Sequence, residues 1–153
     1  MFKSEDTFQN PLDKNKFVFV SRVDNQPKAT EYIGVYDATK DTDYSSTGNV
    51  NLDPSKTFTY VYQEDLPNTG ADAMIFHPAG MDGNKLVLWE TNYDNSPGPC
   101  FNTWLDDKGK GATDLTYIDT TATKPVRKPY TVSATQIASA TKEMQQCEKD
   151  MGL

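Results

Sequence analysis

The sequence contains little of what metal sites, membranes and nucleic acids require. Its 153 residues include one histidine and two cysteines, too few nitrogen and sulfur ligands for a zinc site. No apolar run approaches the roughly 20 residues that cross a bilayer, so we expect no membrane partner. Lys and Arg number 15 against 22 acidic residues, giving a net charge of -7. This balance argues against nucleic acid, because phosphate binding needs clustered basic side chains.

The usual signs of catalysis are also missing. His77 is the single histidine, and no Ser or Cys neighbour indicates a triad with it. Gly109 and Gly111 lack the spacing and the following lysine of a phosphate-binding loop. We therefore expect no enzyme, no metal and no cofactor.

Length and cysteine content indicate one domain, spanning residues 1–153. The N-terminus, MFKSEDTF, has no apolar signal-peptide core, so secretion implies that a signal peptide has been removed. Cys100 and Cys147 have no second Cys or His close by, which favours a long-range disulfide and an oxidising compartment. Two free buried thiols in a cytosolic protein are the alternative.

Short segments rich in β-branched and aromatic residues are typical of strands. They cover residues 17–22, 31–36, 57–63, 73–77, 85–91, 101–105 and 114–119, and residues 49–52 are a further candidate. Turn residues such as Asp82-Gly83-Asn84 separate them. The even spacing predicts a meander of hairpins, in an up-and-down barrel or a sandwich rather than in βα units.

Two segments differ from this strand pattern. Residues 5–14 begin with acids suited to a helix N-terminus, but Pro11 limits any helix there to a turn or two. Ser133 and Gln136 have the spacing of a capping box at the start of a C-terminal helix. One apolar face then recurs at three- and four-residue steps, through Ile137, Ala140, Met144 and Cys147.

Aromatic residues are the strongest indication of a binding site. Tyr60 and Tyr62 are two residues apart and are expected on one face of their strand. Most aromatic residues of β proteins belong to the core, but an eight-stranded barrel also leaves room for one ligand. Some inward-facing rings are therefore expected to line a cavity.

Three elements around the cysteines follow a recognisable order: residues 100–102 (CFN), residues 114–117 (DLTY) and Cys147. This order resembles the amine-binding signature of the salivary lipocalins of ticks, which runs Cys-Asp-aliphatic, then Glu-Leu-aromatic, then Cys on the C-terminal helix. Residues 89–95 (WETNYDN) and 6–8 (DTF) also resemble segments of that family. The resemblance spans nearly the whole chain.

The resemblance implies an all-β fold with one C-terminal helix, built as an antiparallel up-and-down eight-stranded lipocalin barrel. It also implies a Cys100–Cys147 disulfide in a secreted monomer that sequesters histamine or serotonin. The carboxylate of Asp114 is expected to pair with the ligand's ammonium group while aromatic rings pack around it. The predicted site residues are Asp114, Trp89, Phe101, Tyr117, Tyr60, Tyr62 and Phe76.

Two other functions fit the same sequence. Phe101 stands where the family signature has an acid, which makes the predicted pocket more apolar and favours a leukotriene or another fatty-acid mediator. The carboxylate of such a ligand is expected at Arg22, Lys85 or Arg127. The outer surface of the barrel binding a host protein, such as a complement component, is the other alternative.

Overall fold

The computed structural model describes residues 3–10, 13–40, 58–69, 74–92 and 98–153. The strands are β1 (Lys3–Gln9), β2 (Lys16–Asn25), β3 (Lys28–Asp37), β4 (Phe58–Pro67), β5 (Met74–Asp82), β6 (Lys85–Asn92), β7 (Thr116–Asp119) and β8 (Lys128–Pro129). A short 3-10 helix, Ala38–Lys40, follows β3, and one α-helix, α1 (Ala134–Asp150), follows β8. The candidate strand over residues 49–52 lies outside the described residues.

The described strands form two open antiparallel sheets, with the orders β1-β2-β3-β4 and β5-β6-β7-β8. The prediction of a mostly β chain with one C-terminal helix is confirmed. The prediction of a closed eight-stranded barrel is wrong for the described residues, in which no strand pairing joins the two sheets. One reason is that β8, at the end of the second sheet, is only two residues long, too short an edge to close a barrel.

The strand predicted over residues 101–105 is absent, and two turns take its place. The Asn102 side chain accepts a hydrogen bond from the backbone of Trp104 (3.0 Å), and the Asp106 carboxylate accepts two from Lys108 and Lys110 (2.9 and 2.8 Å). Such local bonds offer the backbone an alternative to a sheet ladder. Only an isolated bridge between Leu105 and Gly111 remains of the expected hairpin.

The helical turn predicted within residues 5–14 is also wrong for the described residues, because residues 5–9 lie in β1. β1 pairs antiparallel with β2 from Lys3 opposite Arg22 to Gln9 opposite Phe17, with a bulge between Ser4 and Asp6. The acidic residues near the start of this segment favour a helix only weakly, and the hydrogen bonds of the β1–β2 ladder outweigh that local preference.

The two sheets face each other across one apolar core. Alternate residues of β2 and β6 point inward, among them Val18, Val20, Leu86 and Leu88. Ile33 and Leu66 join them from the first sheet, and Phe76 and Ile118 join from the second. All of these side chains are buried, so this core holds the two sheets together.

A second apolar layer covers the other face of the second sheet. Its buried members are Val87, Ala112, Leu115, Tyr130 and Val132, and the residues packed against them include Trp89, Trp104, Tyr117 and Ile137. The predicted capping box of α1 is present, with both the Ser133 and the Gln136 bonds formed. The predicted Cys100–Cys147 disulfide is confirmed, with the two Cα atoms 5.6 Å apart.

Candidate functional site

An open cleft of about 430 Å³ lies between β4, β7 and the segment that follows β7. Its lining residues are Tyr62, Glu64, Thr116, Pro125, Val126, Arg127, Lys128 and Pro129. The first three and the last two belong to strands of the two sheets, and the other three belong to the connection between β7 and β8. The cleft therefore has one wall of regular strands and one wall of irregular chain.

Strand alternation places two glutamates on the inner face beside this cleft. In β4, Glu64 lies two residues before the buried Leu66; in β6, Glu90 lies two residues after the buried Leu88. Each glutamate therefore continues the core-facing row of its own strand. Because β4 and β6 belong to different sheets, the two carboxylates approach one point from opposite sides.

The guanidinium group of Arg127 occupies that point. It binds Glu64 with two nitrogens, Nε to Oε1 at 3.0 Å and Nη2 to Oε2 at 2.7 Å. Its Nη1 donates to Glu90 Oε2 at 3.2 Å and to Thr116 Oγ1 at 3.3 Å. Such a fork of parallel bonds is the strongest arrangement that Arg makes with a carboxylate. The side chains are 21%, 27% and 26% exposed for Arg127, Glu64 and Glu90, so the group is partly shielded from water.

An aromatic ring completes the surroundings of the guanidinium. Its Cζ atom lies 5.0 Å from the ring centroid of Phe76, within the range of a cation–π contact. The hydroxyl of Tyr62 donates to Glu64 Oε1. Two carboxylates, a ring and two hydroxyls thus surround one planar organic cation, which here is a side chain of the protein itself.

The ionisation of these groups follows from their contacts. Burial acts to raise the pKa of Glu64, but hydrogen bonds from Arg127 and Tyr62 outweigh it and lower the pKa below its ordinary value. Burial and the bond to Glu64 raise the pKa of Tyr62 to about 12. Burial acts to lower the pKa of Arg127, whereas its carboxylate neighbours raise it. Glu64 and Arg127 are therefore both charged at neutral pH, with Tyr62 kept as a hydrogen-bond donor.

The row of charges continues across the first sheet. Glu31 lies directly opposite Glu64 in the β3–β4 ladder and directly opposite Arg22 in the β2–β3 ladder. Arg22 and Glu31 are both buried, with Nη1 and Oε1 4.0 Å apart, and Arg22 also binds Asp24 at 2.7 Å. Two arginines thus flank a pair of facing glutamates that would otherwise repel each other.

No family model, curated protein or solved structure matches this chain. Within the described residues, no helix is both long and apolar enough to cross a membrane. The same part of the chain contains no group of three or more His, Cys, Asp or Glu side chains placed to hold a metal ion.

The residues predicted as a single site are distributed over three surfaces. Tyr62 and Phe76 lie on the inner side, at the cleft and beside the Arg127 guanidinium. Tyr60 is 47% exposed and contacts Phe19 and Tyr32 on the outer face of the first sheet. The expectation that Tyr60 and Tyr62 share a face is wrong, because a bulge makes Tyr60 pair with Gly34 while Tyr62 pairs with Ile33.

The other predicted ring residues belong to the layer between the second sheet and α1. Trp89 lies 4.9 Å from the exposed Phe101 and 5.7 Å from His77, between ring centroids. Tyr117 contacts Tyr130 in the same layer. None of the three predicted residues Trp89, Phe101 and Tyr117 lines the cleft. Packing in this layer explains the partial burial of Trp89 and Tyr117.

The predicted charged residues are placed as follows. Asp114 is exposed in the bend before β7 and does not line the cleft. Lys85 is exposed, with its ammonium 4.9 Å from the Tyr117 ring centroid, and Arg22 is buried in its ion pairs. Of the three basic residues proposed for a lipid carboxylate, Arg127 alone lines the cleft.

Sequence reasoning missed Glu64 and Glu90. The signal that identifies them is a charged residue in register with the buried face of a strand: Tyr62, Glu64 and Leu66 alternate in β4, as do Leu86, Leu88 and Glu90 in β6. A glutamate at an inward position requires a partner, because an unpaired buried charge is costly. No local pattern identifies that partner, since Arg127 is 63 residues from Glu64.

Proposed function

We propose that this protein binds and sequesters a small organic amine, such as histamine or serotonin, in the cleft beside Glu64 and Glu90. The observation that carries the proposal is the arrangement around the Arg127 guanidinium: two carboxylates from facing sheets and the Phe76 ring converge on one organic cation. Ammonium and imidazolium groups are bound by the same kinds of contact, ion pairing and cation–π attraction. This proposal transfers the role expected of Asp114 to Glu64 and Glu90.

The charges around the inner row support a cationic ligand. The two carboxylates beside the cleft, those of Glu64 and Glu90, share the single guanidinium group of Arg127. The chain as a whole carries a charge of -7, which raises the local concentration of cations and their rate of association. Both features work against an anionic ligand.

The order of elements supports the lipocalin relationship that the sequence suggests, and we keep that relationship as part of the proposal. Successive antiparallel hairpins are followed by one C-terminal helix tied back by Cys100–Cys147. A disulfide is typical of secreted proteins, so we propose an extracellular scavenger that acts as a monomer without a cofactor.

A fatty-acid mediator such as a leukotriene is the second candidate. Arg127 and the exposed Lys128 both line the cleft, and either could pair with a carboxylate. Arg127 already donates four hydrogen bonds to Glu64, Glu90 and Thr116. An anion would have to compete with two carboxylates for it, which makes this candidate weaker than an amine.

Calorimetric titration of the full chain with histamine, serotonin and a leukotriene tests the proposal. We expect an amine to bind in the micromolar range or more tightly, about -8 kcal/mol or better. Glu90→Gln should lower that affinity by about 2 kcal/mol, because it removes a counter-charge without changing the size of the side chain.

Asp114→Asn is the matched control, because this exposed carboxylate lies outside the cleft. This variant should bind the amine as tightly as the wild type does. If Asp114→Asn weakens amine binding and Glu90→Gln does not, the ligand lies elsewhere and the cleft assignment fails. If only the leukotriene binds, the fatty-acid candidate replaces the amine.

A further inference from the structure

The Arg127 guanidinium reaches the two glutamates from a part of the chain that differs from the rest of the site. Glu64, Phe76, Glu90 and Thr116 belong to β4, β5, β6 and β7, whereas Arg127 belongs to the irregular connection between β7 and β8. The site is therefore preformed on regular strands, and its cation is supplied by a loop. A preformed cage with a loop-borne occupant is able to exchange that occupant for a free ligand.

The attachments of this loop are concentrated at its ends. At the start, Asp119 accepts hydrogen bonds from the backbone and hydroxyl of Thr121 (2.9 and 2.7 Å). At the far end, the Tyr130 backbone donates to Leu115 (2.9 Å) and its hydroxyl donates to Asp82 (2.9 Å). β8 is held as well, with Lys128 opposite Tyr117 and Pro129 opposite Thr116 in the β7–β8 ladder. These anchors leave residues 123–127 between them free to change their path.

Between the anchors, the main attachment is the Arg127 side chain itself. The backbone of residues 123–126 makes no hydrogen bond to any other described residue, and Val126 is well exposed. Only the two-residue β8 follows before Tyr130. Segments with few backbone bonds and little buried apolar surface open at low free energy.

We propose that Arg127 is a tethered occupant of the ligand's cation position, and that the ligand is an organic cation which displaces it. This inference rests on the proposed amine-binding function and specifies its chemistry. A planar cation with several N–H donors, such as a guanidinium or imidazolium, reproduces the two-pronged bond to Glu64 and the contact with Phe76. Binding then requires Arg127 and the preceding residues 125–126 to leave the cleft, so the loop lowers the apparent affinity for every such ligand.

Removing the tethered occupant tests this directly. We titrate ethylguanidinium, histamine and serotonin into wild-type protein, Arg127→Ala and the control Lys124→Ala, which removes an exposed cation from the same loop. Ethylguanidinium should bind Arg127→Ala at least tenfold more tightly than wild type, whereas Lys124→Ala should match wild type. Addition of Glu64→Gln to Arg127→Ala should abolish that gain.

Trypsin provides a second measurement on the unaltered protein. Lys124 and Lys128 both precede prolines, and trypsin does not readily cleave before proline, so the bond after Arg127 is the one it can cut in this loop. The enzyme must take the guanidinium into its own acidic specificity pocket, which requires Arg127 to leave Glu64 and Glu90. Saturating histamine or serotonin should therefore accelerate this cut, whereas a ligand bound beside an undisturbed loop would slow it or leave it unchanged.

The outcomes separate this inference from the proposed function. If wild type binds histamine or serotonin, but Arg127→Ala binds ethylguanidinium no more tightly than wild type does, the inference is overturned and the proposed function stands. If Arg127→Ala does not fold, the trypsin assay on wild type decides. Faster cleavage after Arg127 with histamine or serotonin supports the inference, and slower or unchanged cleavage overturns it. If wild type binds neither amine, the proposed function fails. In that case, ethylguanidinium binding to Arg127→Ala but not to wild type would still support a cation site that Arg127 occupies. If Arg127→Ala does not bind ethylguanidinium either, the inference is overturned as well.

Discussion

Glu64 connects the acidity of the solution to the stability of the protein. Its pKa is lowered in the folded chain, from an ordinary value of 4.5, because Arg127 and Tyr62 outweigh the effect of burial. A carboxylate with a lowered pKa stabilises the fold above its ordinary pKa, and this contribution is lost as the pH falls through the folded value. Acid should therefore weaken the site before it weakens the apolar core.

The corresponding variant is Glu64→Gln. We expect a smaller free energy of unfolding than wild type at neutral pH, and a difference that shrinks below about pH 4.5. Urea denaturation of both proteins across this range measures it. Asp107→Asn, which removes an exposed carboxylate, is the control; the same pH dependence in both variants would contradict the role given to Glu64.

Gly34 illustrates how one missing side chain shapes the outer face of the first sheet. A Cβ atom at this position would collide with the ring of Phe19, which lies across the glycine and contacts Tyr60 at 6.0 Å between centroids. An aromatic ring that covers a strand glycine compensates for the side chain that glycine lacks. A residue larger than glycine here would therefore displace the Phe19 ring.

Gly34→Ala should lower the free energy of unfolding by about 1–3 kcal/mol, because the Phe19 ring must leave its place. Thermal or urea denaturation measures the loss. Gly98→Ala is the control, since a Cβ there meets no atom within 4 Å. Equal stability of the two variants would show that the Phe19 ring moves without cost.

The C-terminal helix is stabilised by a capping box at its first turn. The Ser133 hydroxyl accepts from the Gln136 backbone at 3.1 Å, and the Gln136 side chain accepts from the Ser133 backbone at 2.8 Å. Ser133→Ala should cost about 1 kcal/mol of stability. Ser139→Ala, an exposed serine inside the same helix, should not destabilise the protein, and denaturation of both variants tests the contrast.

The elements that the sequence predicts correctly are those whose signals are local. The capping box and apolar face of α1 lie within residues 133–147, and β2 to β7 each have their own strand composition. The sequence predicts a helical turn where β1 lies, because the strand forms only through pairing with β2. The strand predicted over residues 101–105 does not form, because the side chains of Asn102 and Asp106 accept hydrogen bonds from nearby backbone amides instead.

The candidate site was less predictable than the elements that form it. The sequence predicts Tyr62 and Phe76 as site residues. The bulge opposite Ile33 and Gly34 that separates Tyr60 from Tyr62 has no turn signal in the sequence. Glu90 and Arg127 meet across 37 residues of chain and two sheet layers. Contacts of this kind follow from how the sheets pack, which strand composition does not determine.

Across the whole molecule, the disulfide limits how far the unfolded chain can expand. Cys100 and Cys147 are 47 residues apart, and closing a loop of that length stabilises a fold by about 4 kcal/mol in the chain-entropy model. The double variant Cys100→Ser with Cys147→Ser should unfold at a correspondingly lower urea concentration. Equal midpoints for the variant and the oxidised wild type would contradict this.

The positions of the two tryptophans determine which structural changes alter the intrinsic fluorescence of this protein. Trp89 and Trp104 both lie in the apolar layer under α1, and neither lines the cleft. Intrinsic fluorescence should thus change when that layer separates from the second sheet and stay nearly silent when a ligand enters beside Glu64. The emission trace is consequently expected to stay flat during a titration with histamine, which does not fluoresce itself, and heat or a labelled ligand has to supply the readout.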